Sequence, residues 1–158
     1  MTAASENQVR GRLPSWDTTP EGQRIAVCMI VRDEEAVLAR AIESARAFVD
    51  EIVVVDTGSE DATISIAEAN GARVGHVAWN DNFADARNAA LGLVTADWVL
   101  SLDADEELDP ATASYLRDVV KAGYDHGGPI CFAVPIQSRW TDPDAPGESS
   151  TVHKGGRV

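Results

Sequence analysis

The sequence predicts an α/β fold, a mainly parallel open sheet with helices on both faces. Three features carry this expectation. Ile25 to Val31 is a continuous apolar run of the kind found in a strand buried on both faces. Strand-like and helix-like segments then alternate along the chain, the pattern of consecutive βα units. Three of the strand-like segments end in acids, which a parallel sheet collects at one edge.

The elements follow in order. Residues 1–24 carry Gly11, Pro14, Pro20 and Gly22 among scattered charges and read as a flexible leader. After the first strand, Val37, Leu38, Ala41, Ile42, Ala45, Phe48 and Val49 recur at helical spacing from Glu34 onward. Ile52 to Asp56 is a β-branched second strand, and a Thr57-Gly58-Ser59-Glu60-Asp61 turn leads to a helix ending at Asn70-Gly71. Arg73 to Ala78 is a weaker third strand. Phe83, Ala86, Ala90, Leu91 and Val94 mark a third helical stripe, with Asn80, Asp81 or Asn82 as its N-cap. Trp98 to Leu102 is the fourth strand, and Trp98 reads as core. Asp109 and Pro110 open a further helix with Ala113, Leu116 and Val120 inward, which Gly123 is expected to stop. Ile130 to Ile136 is a last strand, pushed to an edge by Pro135. The domain therefore spans residues 25–140, and residues 141–158, with three Gly, two Pro and little apolar content, are expected to be a loose tail.

Charge narrows the possible ligands. Thirteen Lys and Arg against 26 Asp and Glu give a net charge of -13, which excludes a nucleic-acid or anionic-lipid docking surface. Lysine occurs only at Lys121 and Lys154, so a phosphate ligand is expected to be held through a few arginines or a cation. The Gly-rich Walker loop and the Gly-x-Gly-x-x-Gly fingerprint are both absent from the sequence. No apolar stretch is long enough to span a bilayer, residues 1–23 lack the apolar centre of a signal peptide, and the expected location is the cytoplasm. Cys28 and Cys131 lie in apolar runs and read as buried thiols, while His76, His126 and His153 have no zinc-ligand spacing.

Strand ends hold the candidate chemistry. The first strand runs into Arg32-Asp33-Glu34-Glu35, the second ends in Asp56, and the fourth runs into Asp103-Ala104-Asp105-Glu106-Glu107. Two carboxylates separated by one residue can share a divalent cation, and magnesium is typically held by one or two carboxylates together with substrate phosphates and water. Asp61 reads as a helix cap. Trp79, Trp98 and Trp140 are candidates for stacking on a sugar.

Four segments together carry a family resemblance: Cys28 to Glu35, Asp50 to Asp61, Phe83-Ala84-Asp85-Ala86-Arg87-Asn88-Ala89-Ala90-Leu91, and Leu102 to Glu106. From about Ile25 to Pro110 the chain resembles the inverting family-2 glycosyltransferases of GT-A fold, the nucleotide-diphospho-sugar transferase architecture. It is most similar to the branch with bacterial lipopolysaccharide-core and peptide glycosyltransferases.

The resemblance implies a Mg2+- or Mn2+-dependent transfer from a UDP- or GDP-sugar to an acceptor saccharide, lipid-linked glycan or peptide, with inversion at the anomeric carbon. It implies that Asp56 accepts a hydrogen bond from the nucleobase, that Asp105 is the direct metal ligand, and that Asp103 divides its contacts between metal and ribose. Arg87 and Asn88 match the pair that reaches the nucleotide or its phosphates, and Arg32 and Glu34 match positions flanking the nucleoside. The family often shows Lys-Asn-Glu where this chain has Arg32-Asp33-Glu34. The family's acceptor half, which supplies the general base, is expected to be missing, because only about fifty residues follow the acidic pair; the catalytic base is therefore unassigned. Two other classes share the architecture. One is a sugar-nucleotide binding module without catalysis, and the other is a receiver-like signalling domain, which would need an acid at the third strand's end and a lysine at the fifth.

Overall fold

β1 (Ile25–Val31) is buried at every position but Ile30, which is half-buried. It pairs in parallel on both sides, with β2 (Glu51–Asp56) and with β4 (Trp98–Ser101). A strand inside a parallel sheet has helices on both faces and no wet side, which is why its sequence is a solid apolar run. β3 (Arg73–His76) pairs in parallel with the far side of β2, giving the order β3-β2-β1-β4. The computed structural model describes residues 23–113, 115–126, 136–141 and 149–154.

Side chains alternate across the sheet, as strand geometry requires. Val27, Met29 and Val31 of β1 and Val54 of β2 meet Leu38, Ala41, Ile42 and Ala45 of α1 (Leu38–Arg46) and Ala67 of α2 (Thr63–Ala69). Cys28, Val53 and Val55 face the other way, onto Ala90 and Leu93 of α3 (Phe83–Leu93). Helices therefore cover both faces, as the apolar patterning predicts. After β3 the chain crosses to the opposite face and returns beside β1, so the strand order reverses between β1 and β4. Open α/β sheets bind ligands at the carboxyl edge of such a switch point.

Several expectations need correction. The first helix forms at Leu38 rather than Glu34; the preceding turn is closed by the Glu34 carbonyl, which accepts from Val37 and Leu38 N–H. On α3 only Ala86 and Ala90 are buried, while Phe83 is 66% and Leu91 50% exposed. Ala86 and Ala90 stand one turn apart, and Leu91 is rotated about 100° from its buried neighbour. Phe83 leaves the stripe to meet Trp79 edge-on at 4.7 Å between ring centroids. Trp98 is only half-buried, its indole N–H donating to Gln23 Oε1 at 2.7 Å. Gln23, placed in the expected leader, is itself buried; residues 1–22 lie outside the described residues.

The expected fourth helix divides into α4 (Pro110–Ala113) and α5 (Leu116–His126), and α5 runs through Gly123. A helical glycine costs about 1 kcal/mol against alanine, which tertiary contacts can override. Arg117 supplies one such contact, donating to the Gln23 carbonyl and to both oxygens of Asp50. From His126 onward lies a second compact unit, a hairpin of β5 (Ile136–Thr141) and β6 (Ser149–Lys154) paired antiparallel from Ile136↔Lys154 to Thr141↔Ser149. The tail is therefore not loose throughout. Its low apolar content concealed a strand, because a ladder is held by backbone bonds that polar Ser and Thr also supply. The expected strand at Ile130–Ile136 and Cys131 fall outside the described residues, except for Ile136, where β5 begins. No helix among the described residues is long and apolar enough to cross a membrane.

Truncation of a side chain should follow burial rather than hydrophobicity. Ile42→Ala, at a fully buried site of the larger core, is expected to cost about 2–5 kcal/mol in urea denaturation. Leu91→Ala should stay within about 0.5 kcal/mol of the parent. A large loss at Leu91 would mean that α3 buries a wider face than described.

Candidate functional site

The strand register brings the acid-bearing ends to one edge. Val31 stands opposite Asp56, Asp56 opposite His76, and Cys28 opposite Ser101. Each following loop is then shaped by its own sequence.

At the end of β2, Asp56 is 4% exposed. Its carboxylate accepts from Gly58 N–H at 3.0 Å and from Ser59 N–H at 3.1 Å, which folds the chain sharply into the Gly58 turn. Gly58 has φ +113°, a conformation open to glycine and costly for other residues. His76 Nδ1 lies 3.7 Å from Asp56 Oδ2. Burial works against the charge of Asp56, but the Ser59 side chain, the Gly58 and Ser59 N–H groups and the His76 imidazole outweigh it and hold the carboxyl below its ordinary range.

Beyond β4, Leu102, Ala104 and Leu108 are buried in the larger core, while Asp103 and Asp105 on either side of Ala104 are exposed. The anchored alanine thus presents two carboxylates to solvent. A reciprocal turn fixes the segment, with Glu106 N–H donating to the Asp103 carbonyl and Asp103 N–H to Glu106 Oε2, both at 3.0 Å.

From α3, Arg87 reaches over the end of β4. Its guanidinium donates to Ser101 Oγ and lies 3.6 Å from Asp103 Oδ1. Asn88, the next residue around the helix, is exposed and meets none of the other candidates. In the β1 loop, Glu34 is half-buried, and its carboxyl is pushed up by burial and by the charges of Asp105, Asp61 and Asp33. Arg32 is exposed, 3.9 Å from Asp33. The structure thus joins Arg87 to Asp103 and sets Glu34 in the field of Asp105, whereas Arg32 and Asn88 remain apart from these pairs.

His76, Ser101 and Ala104 escaped the sequence reading. His76 was concealed because β3 was expected to run on to Ala78, and Ala104 because apolar patterning is unreadable inside an acidic run. Asp61 is not the N-cap of α2, which is Ala62; one residue earlier, its Oδ1 accepts Thr63 N–H at 2.8 Å and its other oxygen accepts Glu35 N–H at 3.0 Å. Cys28 is a buried free thiol, as expected. The receiver-like alternative fails on its own terms, since β3 ends in His76 rather than an acid.

Comparison with known proteins bears on this edge. The sequence profile of glycosyl transferase family 2 matches residues 26–142. The chain belongs to this family. A TPR repeat-containing protein of Synechococcus elongatus is 51% identical over 85 residues, 54% of this chain and 21% of its own. The lipopolysaccharide core biosynthesis glycosyltransferase LpsC of Rhizobium meliloti is 31% identical over 103 residues, 62% of this chain and 37% of its own. Among solved structures, glucosyl-3-phosphoglycerate synthase of Mycobacterium tuberculosis in complex with uridine diphosphate matches with a TM-score of 0.50 and 28% identity. That match covers 66% of this chain and 41% of the other. This glycosyl transferase family 2 chain thus spans well under half the length of these relatives.

The depressed carboxyl of Asp56 has a consequence for stability. Its contribution is fully present above the ordinary value of 3.8 and is lost as pH falls through the lower folded value. Asp56→Asn, which cannot ionise, should be less stable near neutral pH and should lose less stability on acidification below about pH 4. Urea denaturation across that range checks this, and parallel curves for the two proteins would contradict it.

Proposed function

We propose that this domain binds the nucleoside-diphosphate part of a sugar donor at the carboxyl edge between β1 and β4, and that it serves inverting transfer of the sugar to an acceptor hydroxyl. The observation that carries this reading is the grouping of Arg87 with Asp103 beside the exposed Asp105. Family membership supports the class of reaction, and the uridine diphosphate in the mycobacterial synthase supports a uridine nucleotide ahead of a guanosine one.

The donor set suits Mg2+ or Mn2+. Among the described residues no three His, Cys, Asp or Glu side chains gather around a common point. Asp103 and Asp105, held on either side of Ala104, offer at most two carboxylates, and such a pair leaves several positions of an octahedral ion to phosphate oxygens and water. Asp105 would be the direct ligand, and Asp103, already beside Arg87, would face both ion and ribose. When bound, the ion would neutralise charge developing on the departing diphosphate.

The protein's own groups account for the other contacts. Asp56, kept ionised by its hydrogen bonds, would accept an N–H of the base. Glu34 and Arg32 would border the nucleoside, and Arg87 with Asn88 would face the phosphates. The acceptor-side base and the acceptor itself belong to a part of the reaction that these residues do not perform. A binding module without turnover would use the same contacts, so measuring nucleoside diphosphate release with candidate acceptors separates the two.

In titration calorimetry, UDP should bind in the presence of Mg2+ or Mn2+ and lose most of its affinity on chelation. Unchanged affinity after chelation would remove the metal from the reading. Asp105→Asn should weaken binding roughly ten- to hundredfold, the equivalent of about 1.5–3 kcal/mol for a contact to a charged group. Asp103→Asn should weaken it less.

A further inference from the structure

The departure at Asp33 points beyond the contacts assigned so far. The loop after β1 and the loop after β2 are cross-linked side chain to backbone in both directions. Asp33 N–H donates to Ser59 Oγ at 2.9 Å, and Asp33 Oδ1 accepts Glu60 N–H at 2.7 Å. Glu35 repeats the arrangement one step on, its N–H donating to Asp61 Oδ2 and its Oε2 accepting Ala62 N–H, both at 3.0 Å. Between them, Glu34 N–H donates to Oγ1 of the fully buried Thr63 at 2.7 Å. Three successive amides of one loop are thus satisfied by the other loop and the first residue of α2.

Asp33 is also one of only two non-glycine residues with positive φ among the described residues, at +54°. That conformation is unfavourable for most L-residues and best tolerated by Asn and Asp. It turns both the amide and the carboxylate of Asp33 toward the β2 loop, so backbone and side chain act together.

We propose that Asp33 is a positioning residue for nucleotide binding, a role that rests on the reading given above. It touches no ligand. By locking the two loops into one wall, it holds Glu34 from β1 and Asp56 from β2 at a fixed separation across the nucleoside pocket. The geometry also explains why an acid here can replace the family's amide: Asn and Asp share the acceptor oxygen and the tolerance of positive φ, which are the two properties the lock uses.

Three substitutions separate those properties. Asp33→Asn keeps both and should bind UDP with Mg2+ within about twofold of the parent. Asp33→Gly keeps the backbone conformation and loses the acceptor, and should fall between the others. Asp33→Ala loses both and should bind at least tenfold more weakly, while amide exchange at Glu60 accelerates and Val53 to Val55 in β2 stay protected. Parent-like UDP affinity in Asp33→Ala overturns the proposal, and so does an equal loss in Asp33→Asn, which would assign the effect to charge. If the parent protein binds no UDP, the nucleotide reading and its positioning role fail together. The exchange rate at Glu60 then tests the lock alone, with unchanged protection in Asp33→Ala overturning it.

Discussion

Every feature of the carboxyl edge depends on the double pairing of β1. Its backbone runs through the interior, where an unpaired N–H or C=O costs as much as a lost hydrogen bond. Only strands on both sides can satisfy it, and β2 and β4 do so in register. Parallel pairing then puts all the carboxyl ends on the same side. The convergence of Glu34, Asp56, Asp103 and Asp105 on one edge is therefore a result of satisfying the buried amides of an apolar strand.

The two edges of the sheet hold their acids differently. At the amino edge, acids meet partners. Arg117 holds the Asp50 carboxyl below its usual range, assisted by Ile25 N–H. Glu51 accepts from the Thr95 N–H and hydroxyl and lies 3.5 Å from Arg73 and 3.9 Å from Arg24. At the carboxyl edge Asp56 and Asp103 have partners too, while the Glu34 carboxyl is pushed up, first by burial and then by the charges of Asp105, Asp61 and Asp33. The amino edge thus pairs its acids with arginines, whereas the carboxyl edge sets Glu34 within the field of Asp105.

The βα order, the parallel sheet and the ends of β1 and β2 were legible in the sequence because the apolar runs are long and the periods differ. The acidic pair was also legible, since its two carboxylates flank one residue right after a buried strand. Less legible were elements whose signal is not hydrophobic. The β6 strand of Ser and Thr looked like tail, Gly123 looked like a stop, and Phe83 and Leu91 looked like core. At Gly123 and β6 a local rule gave way to contacts made elsewhere along the chain, whereas Phe83 turned to the nearby Trp79 and Leu91 to solvent.

The sequence by itself determined the family, the α/β class and the candidate site residues, because burial pattern and residue type are local properties. Tertiary structure alone decided how those residues are paired. Arg87 meets Asp103 only because α3 crosses to the other face before β4 returns beside β1. His76 meets Asp56 only through the register of β3 on β2. The exchange of hydrogen bonds between the β1 and β2 loops joins residues 26 or 27 positions apart at most of its contacts. Such pairings depend on strand register and crossover, which no window of neighbouring residues encodes.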